Sequence, residues 1–171
     1  MLKILRKIKK VLSGILYSLI VYLPDEFSTL RIIYYNIKGA KIDRYTSISS
    51  NVRIKGNLEM GYGSSIAQNC SIGAENSGVF IGKNVMIAPN VVIVDFNHGY
   101  YSLDVPMVQQ ENTFDSIFIG DDVWIASNCT IGKGVSIGKG SIIAANSFVN
   151  KNIPPFSIAG GVPVKILKSR I

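Results

Sequence analysis

From Ile42 onward an aliphatic residue returns at every sixth position: Ile42, Ile48, Ile54, Met60, Ile66 and Ile72, then Ile81, Ile87 and Ile93, then Ile119, Ile125, Ile131, Ile137, Ile143 and Val149. Glycine often follows, as in Ile72-Gly73, Ile81-Gly82, Ile119-Gly120 and Ile137-Gly138. Four residues after the aliphatic comes a small or branched side chain, among them Val52, Ser64, Cys70, Val85, Val91, Val123, Cys129, Val135 and Ser147. A period of six is neither the 3.6 of a helix nor the 2 of a long strand. It predicts one short strand and a bend, repeated, with two inward positions per unit. Three units close a triangular coil, so fifteen make five coils, a prism roughly 24 Å tall at about 4.8 Å per coil. Gly132, Gly134, Gly138, Gly140, Asn84 and Asn146 suit the corners, where unusual backbone angles are needed.

The rhythm breaks twice. Three extra residues lie between Ile72 and Ile81, around Asn76-Ser77-Gly78, and twenty lie between Ile93 and Ile119. The breaks follow the sixth and ninth units, a full coil apart, so both should leave the prism at the same edge. A long excursion from a regular solenoid is usually functional, and the only histidine, His98, stands at its root. Glu75 and Asn76 flank the shorter break and are candidates to touch a substrate; a solvated turn explains them equally well.

Residues 1–23 follow another pattern. Ile4, Ile8, Val11, Ile15, Leu19 and Tyr22 step by three and four, as do Leu5, Leu12, Leu16 and Leu23, with most basic and hydroxyl residues elsewhere on the wheel. An amphipathic helix is expected. The apolar run Val11 to Leu23 is too short to span a bilayer, which takes about 20 residues. The chain thus divides into a helical arm (1–36), a β-helix (37–154, with its loop insertion at 94–118) and a closing segment (155–171).

Composition narrows the function. At 171 residues and 47% hydrophobic the chain is one ordered domain. Five of its 18 basic residues fall in the first ten positions, and no acidic residue precedes Asp25. The remaining 13 basic residues nearly balance 11 acidic ones, so the body lacks the basic patch of a nucleic-acid reader. A basic amphipathic helix fits an anionic membrane surface; docking on the solenoid end or on a neighbouring subunit fits equally. Two cysteines 59 positions apart imply no disulfide framework. The expected location is the cytoplasm, at most peripheral to the inner face of the membrane. Cys70 and Cys129 occupy inward slots, where cysteine serves as a small hydrophobe rather than as a nucleophile. One histidine also cannot supply, within a single chain, the three imidazoles of a His-rich catalytic zinc site.

Over residues 37–168 the chain resembles the hexapeptide-repeat acyltransferases, and this resemblance implies an all-β, left-handed parallel β-helix. The stretch from Ile153-Pro154-Pro155 through Gly160-Gly161-Val162-Pro163-Val164-Lys165 resembles the family's closing signature, with Val164 where alanine is frequent. The resemblance implies that His98 is a general base and that Glu111, eight residues before Ile119, orients it, with Asp95 the alternative. It groups Asn97 with the substrate contacts and places Trp124 in an acyl pocket between subunits. It implies acetyl-coenzyme A as co-substrate, with Ser127 and Ala145 at the pantetheine arm and Lys151, Lys165 and Lys168 at the phosphates, and no metal. A homotrimer with interfacial sites is implied too. The arm, and the elements Leu23-Pro24, Leu30-Arg31 and Lys38-Gly39-Ala40, are similar to members of capsule and O-antigen assembly rather than to free-disaccharide acetylators. The expected reaction is O-acetylation of a glycan or lipid-linked glycan. N-acetylation of a nucleotide-linked amino sugar is the enzymatic rival, and a non-catalytic scaffold, which would need no loop, is the other.

Overall fold

The computed structural model describes residues 2–171. Two helices, α1 (Leu2–Tyr22) and α2 (Ser28–Ile37), lead into a triangular prism of short parallel strands. Cross-coil partners are eighteen residues apart, as in Lys41 with Glu59, Ser47 with Ser65 and Arg53 with Ser71, so one coil is three hexads. The offset becomes 21 where Ser65 pairs with Met86, and 38 where Met86 pairs with Trp124. Those are the three- and twenty-residue interruptions, absorbed without loss of register.

The first face holds Lys41–Ile42, the ends of Arg53–Met60 and Ser71–Ile81, then Ile117–Ile119 and Ser136–Ile137. The second runs from Ser47–Ile48 through Ser65–Ile66, Met86–Ile87, Trp124–Ile125 and Ile142–Ile143 to Ser157–Gly160. The third holds the starts of the two long strands, then Val92–Val94, Thr130–Ile131 and Phe148–Val149. Five coils are complete, and Ile153 to Gly160 begins a sixth. Of the hexad aliphatics only Ile54 is not fully buried, and it packs on the same core.

At the corner between the second and third faces, Asn51, Asn69, Asn90, Asn128 and Asn146 all hold φ between 53° and 62°. Asparagine tolerates this left-handed region better than other residues bearing a side chain. Side-chain amides link Asn51 to Asn69 (2.8 Å), Asn90 to Asn128 (3.1 Å) and Asn128 to Asn146 (3.2 Å), donor to carbonyl oxygen. Asn51 Oδ1, buried at the top of this ladder, has no partner among the described residues because no coil precedes it.

Both ends of the solenoid would expose unpaired strand edges. At the N-terminal end the helices cover that edge. Asn36 mimics a strand, its amide donating to Ile42 O (2.9 Å) and its Oδ1 accepting from Ile42 N (2.8 Å). Ser28 Oγ accepts from Ile48 N, and Tyr35 Oη donates to Val52 O. Arg31 is fully buried and donates to Ile48 O (2.8 Å), Leu23 O (2.8 Å) and Pro24 O (3.0 Å). One guanidinium thereby satisfies the carbonyls where the chain leaves α1, and one in the coil below. At the other end Lys165–Ser169 folds back antiparallel on Ser157–Gly160 and closes the prism, with Val164 fully buried in the position noted from the sequence.

Candidate active site

Both interruptions emerge where the third face turns into the first. The long loop opens with a two-rung antiparallel ribbon, Phe96–Asn97 against Thr113–Phe114, pairing Phe96 with Phe114 and Asn97 with Thr113. The next pair in that register is His98 with Asn112, and His98 Nδ1 lies 3.0 Å from Asn112 Oδ1. An amide oxygen only accepts, so this contact suits a proton on Nδ1, the tautomer that leaves the Nε2 lone pair free in a neutral ring. The imidazole is exposed, and its edge meets the Phe96 ring at a centroid distance of 5.6 Å. It opens onto a surface pocket bounded by Val108, Gln110, Glu111, Asn112 and Phe114.

Glu111 lines the same pocket as His98, but the side chain bonded to the imidazole is Asn112. Among the described residues Glu111 makes no hydrogen bond to the ring. Sequence spacing could not separate two neighbours whose side chains point differently from a ribbon end.

Asp95 has another task. Its fully buried carboxylate accepts backbone N–H bonds from Glu75 (2.9 Å), Asn76 (3.2 Å), Ser77 (2.9 Å) and Gly78 (2.8 Å). The shorter interruption is wrapped around this one anion, and Ser116 Oγ, donating to Ser77 O (2.9 Å), ties the far end of the long loop to it. Asp95 thus fixes the root of the loop three residues before His98 and is turned away from the ring's hydrogen bond. Inside the loop, Gln110 is buried, donating to Ser102 O and Val105 O and accepting from Ser102 N. Asn112, Gln110 and the anion-wrapping role of Asp95 were missed from sequence; an asparagine directly after Glu111 was the available signal for the first.

The candidate residues fall into two groups. At the loop edge lie His98, Asn97, Glu111, Glu75 and Asn76, with Glu75 paired to Lys55 at 2.6 Å. Lys151, between Phe148–Val149 and Ile153, stands on the same edge further along the prism. Trp124 lies on the second face, half-exposed between Met86 and Ile142. Ser127 and Ala145 follow it at the asparagine corner, where Asn146 N donates to Ser127 O (3.0 Å). Lys165 and Lys168 lie on the closing strand, opposite Gly160 and Ile158. A full prism face separates the two groups within one chain.

Cys70 and Cys129 are buried, and their thiols donate to Ala88 O (3.2 Å) and Ala144 O (3.1 Å). Burial pushes both thiols up from the ordinary cysteine range. They remain protonated and enclosed, unsuited to nucleophilic attack.

A triangular parallel β-helix that presents one histidine at the root of a single long loop defines a class of bacterial transferases. The sequence profile described as "Bacterial transferase hexapeptide (six repeats)" matches residues 116–151. The hexapeptide-repeat acetyltransferase VCA0836 of Vibrio cholerae, solved with acetyl coenzyme A, is 31% identical, with 78% of this chain and 69% of that one covered at a TM-score of 0.62. The galactoside O-acetyltransferase of Escherichia coli is 36% identical over 124 residues, 72% of this chain and 57% of that protein. The putative lipopolysaccharide biosynthesis O-acetyl transferase WbbJ of the same organism is 31% identical over 102 residues, 56% and 52% of the two chains. The chain belongs to the hexapeptide-repeat acetyltransferases, and its β-helix is left-handed, as theirs is. It spans just over half the length of these two curated relatives.

Proposed function

We propose that this protein transfers an acetyl group from acetyl-coenzyme A to a sugar hydroxyl of a glycan or lipid-linked glycan. The observation that carries the reading is the His98–Asn112 pair, an exposed imidazole held through Nδ1 with its outer nitrogen turned to the mouth of the loop. His98 Nε2 takes the proton of the acceptor hydroxyl as its oxygen attacks the thioester carbonyl. Asn112 holds the ring and its tautomer while the imidazolium exists, and the exposed Glu111 carboxylate in the same pocket favours that charge. Collapse of the tetrahedral intermediate breaks the carbon–sulfur bond, and the proton leaves His98 with the thiol. Two O-acetyltransferases among the relatives support oxygen rather than nitrogen as the nucleophile.

Together with Lys151 of the loop edge, the second group of residues fits the coenzyme by its chemistry. Ser127 and Ala145 are small enough to leave room beside the asparagine corner for a narrow arm. Lys151, Lys165 and Lys168 are exposed, and none forms an ion pair among the described residues, so each is free to meet phosphate. Acetyl-coenzyme A supplies the activated acyl group; the chain supplies cations and a shaped corner.

Separation of the two groups supports a homotrimer. The loop edge and the asparagine corner stand up to about 20 Å apart at 3.3 Å per strand residue, and three-fold symmetry sets one subunit's loop against the next subunit's corner. Exposed apolar side chains supply contacts: Met86 and Trp124 on the second face, and Phe118, stacked on half-buried Phe80 at 5.0 Å, on the first. The test is acetyl transfer to a panel of glycan hydroxyls. His98→Ala should lower turnover by about 10²–10⁴-fold with coenzyme binding nearly intact. Lys165→Ala/Lys168→Ala should weaken coenzyme binding measured by calorimetry, by less at high salt. Light scattering should give the mass of three chains.

A further inference from the structure

α1 touches the rest of the molecule along one side. Val21 is buried, Ser13, Tyr17 and Ile20 are half-buried, and the Tyr17 ring meets Tyr34 of α2 at 5.9 Å. Leu5, Ile8, Leu12, Ile15, Leu16 and Leu19 fall on the opposite side, within an arc of about 100° at 3.6 residues per turn, and each is half or more exposed. The outer side of α2 continues the theme: Leu30, Ile33 and Ile37 are exposed, as is Phe27 just before it. Two apolar helix faces therefore lie uncovered at one end of the β-helix, turned away from its body.

The charge along α1 has one sign. The first ten residues hold five Lys and Arg, and no Asp or Glu precedes Asp25. Arg6, Lys7 and Lys10 are exposed and form no ion pair among the described residues. A bundle of chains joined through α1 would gather these cations with no acidic partner in the same segment. Anionic headgroups supply the missing countercharge while acyl chains take the apolar arc. No described helix is long and apolar enough to cross a membrane, so α1 would lie in the interface.

We propose that α1 and the outer side of α2 form a docking face for an anionic lipid bilayer. Buried Arg31 gives the device its rigidity. It ties the end of α1 to the coil below through Leu23 O and Ile48 O, so docking sets the β-helix in one orientation on the surface. The inference stands on the helices alone and is independent of acetyl transfer.

Sedimentation of the full chain with phosphatidylcholine vesicles, with and without phosphatidylglycerol, tests it. The intact protein should prefer the anionic vesicles by about tenfold or more at low salt and lose that preference at high salt. Leu12→Glu/Leu16→Glu should reduce binding at least about tenfold with an unchanged melting temperature, since both side chains are exposed. Arg6→Gln/Lys10→Gln should reduce binding to the anionic vesicles alone, and it carries the test if the first variant misfolds. Equal sedimentation with both vesicles, or none, overturns the proposal. So does a leucine variant that binds vesicles as before but loses mass by light scattering, which would make the arc an interface between copies.

Discussion

Asn112 Oδ1 accepts a hydrogen bond from His98 Nδ1 at 3.0 Å, across the open end of a ribbon that has only two backbone rungs. The pair is the third rung, made by side chains. Its consequence is a fixed tautomer with a neutral partner. Asn112→Asp would place a negative charge at the same atom and favour the imidazolium. The acid limb of the kcat/KM profile should then move to higher pH. Asn112→Ala should lower kcat with little change in the coenzyme KM, because the ring loses its holder rather than its nitrogen. pH–rate profiles of the two variants separate charge from orientation.

Asp95→Asn keeps the size of the side chain and removes the anion that four N–H groups share. An amide presents one acceptor oxygen and turns an NH₂ toward donors, so at least one buried N–H is orphaned. The expected cost is about 3 kcal/mol, the upper range for a hydrogen bond to a charged group. It should fall on the two interruptions first. Hydrogen exchange should find residues 74–78 and 96–116 faster while the remaining coils keep their protection.

The coils were legible because a solenoid repeats its burial rule in every unit: one aliphatic and one small residue per hexad face inward, and the sequence states this fifteen times. His98 was legible because it is the lone imidazole at the largest break in that rhythm. Asn112 was not, because its role depends on the register of a ribbon too short to show alternation. Asp95 was readable as a carboxylate near the site, but its partners are backbone groups seventeen to twenty residues earlier. Backbone donors carry no sequence signal. The same holds for Arg31, whose partners are all main-chain carbonyls apart from a distant contact to Asp25 at 3.9 Å.

Asp25 links the helices to the second face, accepting from Ser50 N (2.6 Å) and Gln68 Nε2 (2.8 Å). The backbone hydrogen bond from Ser50 holds its carboxyl below the usual aspartate range. A depressed carboxyl contributes stability that is complete above its unfolded value, near 3.9, and is lost as pH falls through the lower folded value. The helical cap should therefore loosen below about pH 4. Asp25→Asn should remove most of that acid sensitivity. Hydrogen exchange in α1 and α2, followed on acidification in both proteins, checks the sign.

Cys70→Ala/Cys129→Ala should retain full acetyl transfer, since neither thiol is accessible or ionised. Each change removes a buried sulfur at the cost of a small cavity, about 1 kcal/mol. In the native wild-type protein a thiol reagent should label neither cysteine, and both should react after unfolding. Loss of activity in the double alanine variant with an intact melting curve would reinstate a covalent route.

Gly99 follows the proposed base, and its place in the loop depends on lacking a side chain. A Cβ there would stand 2.5 Å from Glu111 O and 2.7 Å from Gln110 Cβ, while its backbone lies outside the left-handed region. The demand is for space rather than for unusual angles. The opposing atoms are a backbone carbonyl and the stem of a buried glutamine anchored by three hydrogen bonds, so they yield only if the loop shifts. Gly99→Ala should part the strands beyond the ribbon and break the His98–Asn112 hydrogen bond. A misplacement of about 1 Å can cost roughly 10²-fold in rate, and kcat should fall on that scale. Coenzyme affinity and the melting temperature should hardly change, because the proposed coenzyme corner and the hydrophobic core are elsewhere. Gly14→Ala is the control: nothing lies within 4 Å of its would-be Cβ, and alanine in a helix interior is favoured by up to about 1 kcal/mol. That variant should keep its activity and stabilise α1. Equal activity in the two alanine variants would mean that the loop does not hold the imidazole for catalysis.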